Sequence, residues 1–157
     1  MEFQYELKIP HDRIAVLIGQ KGEVKKAIEK NLNLRLKIDS NEGDVFIQGD
    51  DALDLATAQN IIKAIGRGFN PEVALMLLGD EYVFQVIDLT DFAGKSKKAL
   101  FRLKSRAIGS EGKARRNVEE LTNTHIIIYG KTLAIIGDYE RVDLARKAFE
   151  SLLAGSR

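Results

Sequence analysis

Residues 18–22 of the chain read Ile-Gly-Gln-Lys-Gly, and residues 108–112 read Ile-Gly-Ser-Glu-Gly. Each stretch ends one pattern of apolar residues at helical spacing and begins a second helical pattern that is rich in Lys or Arg. A turn flanked by two glycines lets the backbone approach a ligand closely, and the free N–H groups of the following helix can bind phosphate oxygens. We therefore expect one ligand-binding mechanism to be used twice.

The same order of predicted elements surrounds both loops. In the first half, alternation of apolar and polar residues predicts a strand, helical patterns flank the loop, and two more strands and a closing helix follow. The predicted strands cover residues 3–9, 34–38 and 45–47 in the first half and residues 82–86, 126–128 and 133–136 in the second. The pattern in each half therefore predicts a β-α-α-β-β-α unit. In the first half, Asp50 or Asp51 is the predicted N-cap of the closing helix.

The repeat divides the 157-residue chain into two small domains. We expect the first domain at residues 1–67, an interdomain segment with a short helix at 68–80, and the second domain at 81–157. The apolar residues 71–78 predict that this segment packs between the domains. The copies are offset by 90 residues around the loops, but near the closing helices an offset of 89 or 87 fits, and both stay open. The second half also carries about ten extra residues, at 88–98.

The charges are sorted along the chain although they nearly cancel. Lys and Arg number 24 and Asp and Glu number 23, which gives a net charge of +1. Between residues 95 and 116, however, nine residues are basic and one is acidic, and between residues 13 and 37 seven are basic and two are acidic. Each window contains one glycine loop. A positive pole at the loops is typical of a surface that binds nucleic acid.

Composition and motifs exclude most enzyme classes. The chain has no Cys, and its two histidines, His11 and His125, have no companion at metal-ligand spacing. Gly94-Lys95-Ser96 resembles the end of a phosphate-binding P-loop, but the first glycine of that motif would have to stand at Leu89. No nucleophile with a base beside it is visible. We therefore expect a protein without enzymatic activity, metal or cofactor.

The hydropathy pattern bears on where the protein works. The sequence contains no run of about 18 apolar residues that could span a membrane. It also shows no charged and then apolar leader of the kind that directs secretion. We expect a cytoplasmic protein that does not contact a membrane.

A purely structural role for the glycines is the alternative to ligand binding. Gly19 and Gly109 would then only end a helix, and Gly22 and Gly112 would only ease the start of the next one. Four features argue against this alternative: the duplication, the isoleucine before each loop, the basic helix after each loop, and the identical strand order around both. We therefore favour a binding role.

In this arrangement the chain resembles two tandem KH domains of type I. The resemblance rests on the motifs at residues 18–22 and 108–112 in their β-α-α-β-β-α setting, and it covers nearly the whole chain. It implies an α+β fold in which each domain is a three-stranded sheet covered by three helices. In KH domains the loop clamps the backbone of about four nucleotides, whose bases lie in a hydrophobic groove beside the sheet.

The resemblance implies a role for specific residues of this chain. The backbone clamps are Gly19, Gln20, Lys21 and Gly22 in the first domain and Gly109, Ser110, Glu111 and Gly112 in the second. The residues that neutralise phosphates are Lys21, Lys25, Lys26, Lys113, Arg115 and Arg116. Base edges would be read along Leu36, Lys37 and Ile38 and along Ile126, Ile127 and Ile128. One departure is Glu111, because a neutral or basic residue is usual inside the loop.

A narrower resemblance points to ribosome assembly. Asn123-Thr124-His125 at the start of a strand and the terminal Leu152-Leu153-Ala154-Gly155 are similar to archaeal members of a KH family that acts in small ribosomal subunit maturation. This implies a non-catalytic protein that binds single-stranded RNA and recognises the 3′ end of 16S rRNA. It also implies two protein partners, the alpha subunit of translation initiation factor two and an endonuclease that acts at the rRNA 3′ end.

The sequence leaves two other functions open. One is a KH-fold scaffold that docks protein partners through its acidic faces or through residues 71–78. The other is a generic RNA-binding accessory subunit of an RNA-processing complex. Salt-dependent binding of RNA by the isolated chain separates the scaffold from both RNA-binding functions.

Overall fold

The computed structural model describes residues 1–155, which form two compact units that divide between Gly79 and Asp80. The first unit consists of β1 (Phe3–Lys8), α1 (Ile14–Ile18), α2 (Glu23–Leu32), β2 (Leu34–Asp39), β3 (Asp44–Gly49), α3 (Ala52–Gly66) and α4 (Pro71–Ala74). The second unit consists of β4 (Tyr82–Asp88), α5 (Thr90–Ala93), α6 (Lys97–Ile108), α7 (Lys113–Thr122), β5 (His125–Tyr129), β6 (Thr132–Asp138) and α8 (Tyr139–Leu153). The element order predicted for both halves is thus confirmed.

Each unit contains one antiparallel sheet of three strands, and the last strand in sequence lies in the middle. The strand order is β1-β3-β2 in the first sheet and β4-β6-β5 in the second. As a result β2 and β5, which directly follow the helices after the loops, are edge strands. One backbone edge of each is therefore open to groups other than another strand.

The core of the first unit lies between its sheet and its helices. Strand residues alternate between two faces, so Leu36 and Ile47 are buried while Arg35 and Lys37 are exposed on the other face. The helix face that fills the core from α3 consists of Leu55, Ala58, Ile61, Ile62 and Ile65, all buried. Burial of each large aliphatic side chain contributes about 1.5–3 kcal/mol. This packing holds the helices rigidly against the sheet.

The second unit has its own core, built in the same way. Leu133 and Ile135 of β6, Ile126 of β5 and Phe149 of α8 are its buried centre. The remaining members of this cluster are Ile87, Leu89, Leu103, Ala107, Val142, Ala145 and Leu153. Each unit thus has the sheet-and-helix core that the repeated sequence pattern predicts.

The N-caps of the closing helices decide the offset that the sequence leaves open. The Asp51 carboxylate accepts a hydrogen bond from Leu53 N–H (2.8 Å) at the start of α3, and Asp138 accepts one from Arg141 N–H (3.0 Å) at the start of α8. These caps are 87 residues apart, because the turn between the last two strands and the step into the closing helix are both shorter in the second unit. The structural offset at this point is therefore 87.

The short helix α4 and the turn after it pack against α3 of the first unit. Asn70 caps α4, whose first residue is Pro71, and the helix continues as a 3-10 turn over Leu75–Leu78. The Arg13 side chain donates hydrogen bonds to the C=O groups of Ile65 (2.8 Å) and Phe69 (2.9 Å). Arg13 therefore belongs to the framework that closes α3, although it counts among the basic residues of the first window.

The extra residues of the second unit form a short helix and a turn. Asp88 accepts hydrogen bonds from the hydroxyl (2.6 Å) and the N–H (2.9 Å) of Thr90 at the start of α5, and these bonds lower the pKa of the Asp88 carboxyl. Ser96 then caps α6 by accepting from Ala99 N–H (3.1 Å). With 12 residues, α6 is more than twice as long as its counterpart α1, which has five. The added turns carry much of the basic charge in the second window.

Candidate nucleic-acid interface

The two glycine loops have nearly the same backbone conformation. Gly19 has φ 78° and ψ 175°, and Gly109 has φ 77° and ψ 176°. The third residues of the loops, Lys21 and Glu111, lie in the left-handed region with φ of 54° and 52°. The last glycines have φ of 75° and 77°. A duplicated sequence thus produces a duplicated shape.

The first glycine of each loop is required by space as well as by conformation. A Cβ on Gly19 would lie 2.6 Å from Val24 Cγ2, and a Cβ on Gly109 would lie 2.6 Å from Ala114 N. At the last glycines, the nearest atoms to an added Cβ belong only to the flexible side chains of Lys26 and Arg116. The first glycine therefore lets the next helix begin directly against the loop.

The third loop position carries backbone strain. Residues other than glycine rarely adopt positive φ, and the left-handed region costs them about 1–2 kcal/mol. Lys21 and Glu111 both adopt it, although neither is a Gly, Asn or Asp. The surrounding structure imposes this conformation, as at many ligand-binding sites.

The helices behind the loops begin after a glycine that has no side chain with which to cap them. Within residues 1–155, no side chain caps α2 at Gly22 or α7 at Gly112. The first-turn N–H groups and the helix dipole together form a site that attracts anions. The first N–H of each helix is used within the loop, because Glu23 N–H donates to the C=O of Gln20 and Lys113 N–H donates to the C=O of Ser110. The positive end of the helix dipole at each loop nevertheless favours an anion there.

The predicted phosphate contacts fall into two groups in the structure. Lys21, Lys26, Lys113 and Arg116 are exposed around the loops, and Lys26 Nζ donates a hydrogen bond to the C=O of Lys21 (3.3 Å). Lys25 and Arg115 are half-buried instead. Of the six residues, the four exposed ones therefore have side chains that can reach a phosphate bound at the loop.

Arg115 is tied to the edge of the second sheet. Its Nη1 donates to Glu119 Oε1 at 2.6 Å and to the C=O of Ile126 at 3.3 Å. The same carboxylate accepts from the N–H of Ile126 through Oε2 at 2.7 Å. The structure therefore places Arg115 in a hydrogen-bonded bridge, and not on the exposed surface where the sequence places a phosphate contact.

The residues predicted to read base edges do not share one surface. The side chains of Leu36 and Ile126 are only 2% and 3% exposed and belong to the cores. Lys37 points to the opposite face, where it lines a shallow hollow whose other members are Gln4, Tyr5, Glu6, Arg35, Phe46, Ile47 and Gln48. Ile38 and Ile128 are partly exposed, and Ile127 is partly exposed on the face opposite Ile126 and Ile128. Leu36 and Ile126 therefore offer almost no surface to a base, whereas Ile38 and Ile128 do.

Two kinds of residue were missed by sequence reasoning. Glu29 and Glu119, which the 90-residue offset aligns, hold the edge-strand N–H groups of Leu36 (3.0 Å) and Ile126 (2.7 Å). Phe101 is 72% exposed on α6, and its basic neighbours there are Lys97, Lys98 and Arg102. An aromatic residue inside a basic window is the signal that could have identified Phe101.

Neither a cluster of metal ligands nor a membrane-spanning helix is found in the part of the chain that the structure describes. Among residues 1–155, no group of three or more His, Cys, Asp and Glu side chains could hold a metal ion. No helix in this part of the chain combines the length and apolar character that crossing a membrane requires. His11 and His125 are both exposed.

Comparison with known proteins assigns the chain to a family. The family model for the KH domain matches residues 4–64, and the model for the eukaryotic type KH-domain (KH-domain type I) matches residues 83–157. A KH domain-containing protein of Methanocaldococcus jannaschii is 52% identical over an alignment of 154 residues, and the match covers 96% of this chain and 67% of that protein. The crystal structure of Dim2p from Pyrococcus horikoshii has a TM-score of 0.90 and 42% identity, and covers 99% of this chain and 93% of that one.

The chain belongs to the family of Dim2- and PNO1-like KH proteins. The predicted α+β fold with two tandem type I KH domains is therefore confirmed, as is the predicted resemblance to archaeal members of this family.

Eukaryotic members of the Dim2- and PNO1-like family are more distant and longer. The RNA-binding protein pno1 of Dictyostelium discoideum is 28% identical, with 96% of this chain and 65% of that protein covered. The pre-rRNA-processing protein PNO1 of Coccidioides immitis is 23% identical, with 96% and 61% covered. The chain thus spans less than two thirds of the length of these two relatives.

A second solved structure shows a member of the family in a complex. The crystal structure of the a/eIF2alpha–aDim2p–rRNA complex from Pyrococcus horikoshii has a TM-score of 0.89 to this chain and 42% identity. The match covers 99% of this chain and 87% of that one. The family thus includes a protein that was crystallised with rRNA.

Proposed function

We propose that this protein is a non-catalytic single-stranded RNA-binding protein of small ribosomal subunit biogenesis, which binds the 3′ end of 16S rRNA through its two glycine loops. The observation that carries the proposal is the duplicated loop. Its backbone angles at residues 19, 21 and 22 agree with those at residues 109, 111 and 112 to within about 6°. A shape preserved twice, with backbone strain at both copies, supports a shared ligand.

The loops would bind the RNA backbone. A phosphate at each loop accepts hydrogen bonds from the first-turn N–H groups of α2 or α7, and the positive end of the helix dipole favours its charge. Lys21 and Lys26 add cations at the first loop, and Lys113 and Arg116 add them at the second. Glu111 subtracts from the positive potential of the second loop, so the first loop contributes more to affinity.

The bases would lie along the edge strands β2 and β5. Ile38 and Ile128 are partly exposed there, and so are Ile18 and Ile108 directly before the loops. Apolar side chains shelter the faces of bases, while outward backbone groups of an edge strand are available to base edges. About four nucleotides at each unit make a footprint of roughly eight nucleotides or more.

The relatives support an rRNA target and one of the protein partners. One solved relative was crystallised with rRNA and the a/eIF2alpha protein, and a more distant relative is named for pre-rRNA processing. We therefore propose the 3′ end of small-subunit rRNA as the target, and the alpha subunit of translation initiation factor two as a partner. An endonuclease that acts at the rRNA 3′ end is a further proposed partner, and the cytoplasm is the proposed location.

Competition binding with purified protein tests the target. A labelled strand with the 3′-terminal sequence of 16S rRNA is displaced by the same unlabelled strand, by scrambled strands of equal length and composition, and by the native strand with spacers inserted at its middle. We expect the native strand to compete best and spacers to weaken competition, because two linked sites prefer one spacing.

The outcomes of this competition are distinct. Equal competition by native, scrambled and spaced strands would leave a generic RNA-binding protein and reject the ribosomal target. Absence of binding to any single strand at low salt would reject RNA binding by the isolated chain and favour a protein scaffold.

A further inference from the structure

The exposed face of α6 runs from the second glycine loop toward the extra residues of the second unit. Ile108, which directly precedes Gly109, is 36% exposed, and Phe101 is 72% exposed. Because they are seven residues apart on one helix, their side chains share a face and lie about 10 Å apart along the axis. The opposite face carries Leu103 and Ala107, which are buried. This helix therefore presents an apolar side chain beside the loop and an aromatic ring two turns before it.

Three free cations surround the ring of Phe101. Lys97 and Lys98 precede it by one turn and Arg102 follows it, and together the four side chains line a hollow on the surface of α6. All three cations are exposed, and α6 itself contains no acidic residue. Within residues 1–155, none of the three has a hydrogen-bond or ion-pair partner for its side chain. Their positive charge is therefore available to a ligand that lies on this face.

The ring of Phe101 is not used by the fold. It makes no ring contact with any other of residues 1–155, and it lies outside the core cluster of the second unit. A flat apolar ring among free cations matches a nucleotide of single-stranded RNA, because the base can stack on the ring while the cations neutralise a phosphate. An acidic peptide would use the cations and leave the ring idle. The combination therefore favours RNA as the ligand of this face.

A second basic hollow adjoins the first. It is lined by Lys95, Lys97 and Lys131, together with Thr90, Gly94, Ser96 and Leu100. The turn between β5 and β6 is held here, because the C=O of Lys131 accepts a hydrogen bond from Leu89 N–H (2.8 Å). Asp88 is close enough to Lys131 to offset part of its charge. Since Lys97 borders both hollows, the positive surface continues from the ring of Phe101 to the extra residues.

The first unit has no counterpart of this face. Its helix α1 has five residues and begins at Ile14. The residue 90 positions before Phe101 is His11, which lies in a 3-10 turn and not in a helix. The next residue is Asp12, where the second unit has Arg102. The aromatic and basic face therefore exists only where the extra residues allow the helix to begin earlier.

We propose that this face of α6 binds one further nucleotide of the same RNA strand, outside the segment held at the second loop, with its base stacked on Phe101 and its phosphate among Lys97, Lys98 and Arg102. The inference rests on the proposed RNA binding and deepens it, because it gives the second unit a longer footprint than the first. The added contact offsets the repulsion between Glu111 and RNA. Every base has a flat face, so the site adds affinity without preference for one base.

Removal of single bases from the strand tests the inference with the unmodified full chain. The parent probe is a labelled strand with the 3′-terminal sequence of 16S rRNA, extended beyond the footprint of roughly eight nucleotides. Each further probe has one abasic nucleotide, which keeps the phosphate and lacks the base. At the position that meets Phe101, we expect removal of the base to weaken binding about tenfold. Exchange of that base for any other base should change the affinity by less than about twofold.

Variants of Phe101 identify this position and the nature of the contact. In Phe101→Ala, the parent strand should bind about tenfold more weakly, and the abasic nucleotide at that position should cost nothing further. Phe101→Tyr keeps a flat ring and should bind as the unmodified chain does. Phe101→Leu keeps apolar bulk without a flat face and should behave as Phe101→Ala does. Because the ring is exposed, all three variants should fold, which a thermal melt verifies.

Removal of two charges tests the phosphate contact. Lys97→Gln with Lys98→Gln should make the slope of log K against log[salt] less steep by about 0.7, the value for one phosphate of a single strand. The matched control is Arg141→Gln with Lys147→Gln, which removes two charges from α8. Both control residues already form ion pairs there, with Asp138 (3.1 Å) and Asp143 (2.9 Å). The slope of the control should stay unchanged.

The results separate this inference from the proposed function. If every abasic nucleotide cost the same in Phe101→Ala as in the unmodified chain, the inference would be overturned and RNA binding would stand. Full affinity of Phe101→Leu would also overturn it, because stacking requires the flat ring. Equal changes of slope in the two charge variants would reject the phosphate contact on α6. No binding of any probe by the unmodified chain at low salt would reject the proposed function and this inference with it.

Discussion

Gly19 lies so close to Val24 that a Cβ on Gly19 would be 2.6 Å from Val24 Cγ2 and 2.9 Å from Val24 N. This contact seats the loop directly on the helix that follows it. Gly22 has no such neighbour, because the nearest atom to its added Cβ is Lys26 Cε at 3.8 Å. The two glycines of one loop therefore serve different physical purposes.

Gly19→Ala should destabilise the first unit more than Gly22→Ala. At Gly19 an alanine meets both positive φ with extended ψ, which is nearly restricted to glycine, and a collision with backbone. We expect a loss of about 2–4 kcal/mol there, against about 1 kcal/mol for the left-handed strain at Gly22. Urea unfolding followed by circular dichroism measures both. Equal losses would show that the contact with Val24 relaxes freely.

Replacement of the variable loop residues by aspartate should abolish RNA binding without unfolding the protein. Aspartate tolerates the left-handed conformation of Lys21 and Glu111, but its charge opposes a phosphate at the helix N-terminus. Gln20→Asp with Lys21→Asp changes the first loop by three charges, whereas Ser110→Asp with Glu111→Asp changes the second by one. We therefore expect the greater loss from the first pair, measured by fluorescence anisotropy.

A neutral control accompanies this experiment. Gln20→Asn with Lys21→Asn keeps a residue that accepts the left-handed conformation and removes only one charge. Its affinity should lie between those of the unmodified chain and the aspartate variant. Full binding by the folded aspartate variants would exclude the loops from RNA recognition.

Affinity for single-stranded RNA should fall with salt. If four to six phosphates are neutralised by the exposed Lys and Arg residues, log K against log[salt] should have a slope of roughly −3 to −4, from about −0.7 per contact. Titration over several salt concentrations gives the slope. Lys113→Ala should make it less steep by about one contact. A slope near zero would contradict binding through phosphates.

Phe101→Ala should weaken RNA binding and leave stability almost unchanged. The ring is 72% exposed beside Lys97, Lys98 and Arg102, where a base can stack on it. Loss of one stacked base costs about 1–3 kcal/mol, or roughly tenfold in Kd. Leu53→Ala is the matched control, because Leu53 is equally accessible at 78% but lies among acidic residues on α3. The same affinity for both variants would remove Phe101 from the interface.

Local patterns in the sequence were sufficient to predict the order of elements and the position of the loops. Alternation of apolar residues and helical spacing depend only on neighbours along the chain, and both were repeated in the two halves. The glycine pairs predicted tight turns, because positive φ is a local demand of the backbone. The fold class and the two loops were therefore predictable from the 157 residues alone.

These local patterns could not determine the exact alignment of the two halves at their closing helices. The similarity of residues 53–56 to residues 142–145 fits an offset of 89, and the apolar face of the closing helix fits 87. The capping bonds of Asp51 and Asp138 place the helices at an offset of 87. Turn lengths decide this difference, and a turn can lose a residue without changing the apolar pattern of its flanking elements.

Only the tertiary structure decided which charged residues are available to a ligand. Arg13 serves the end of α3, and Arg115 bridges Glu119 and Ile126, although the sequence counts both with the basic surface. An arginine side chain can face solvent or donate to a buried backbone carbonyl. Which of these occurs depends on the carbonyls that the fold brings within about 3 Å of the guanidinium. Periodicity and the glycine pairs along the chain determined the elements and their loops, whereas hydrogen bonds to carbonyl groups that the fold brings near determined which basic side chains stay at the surface.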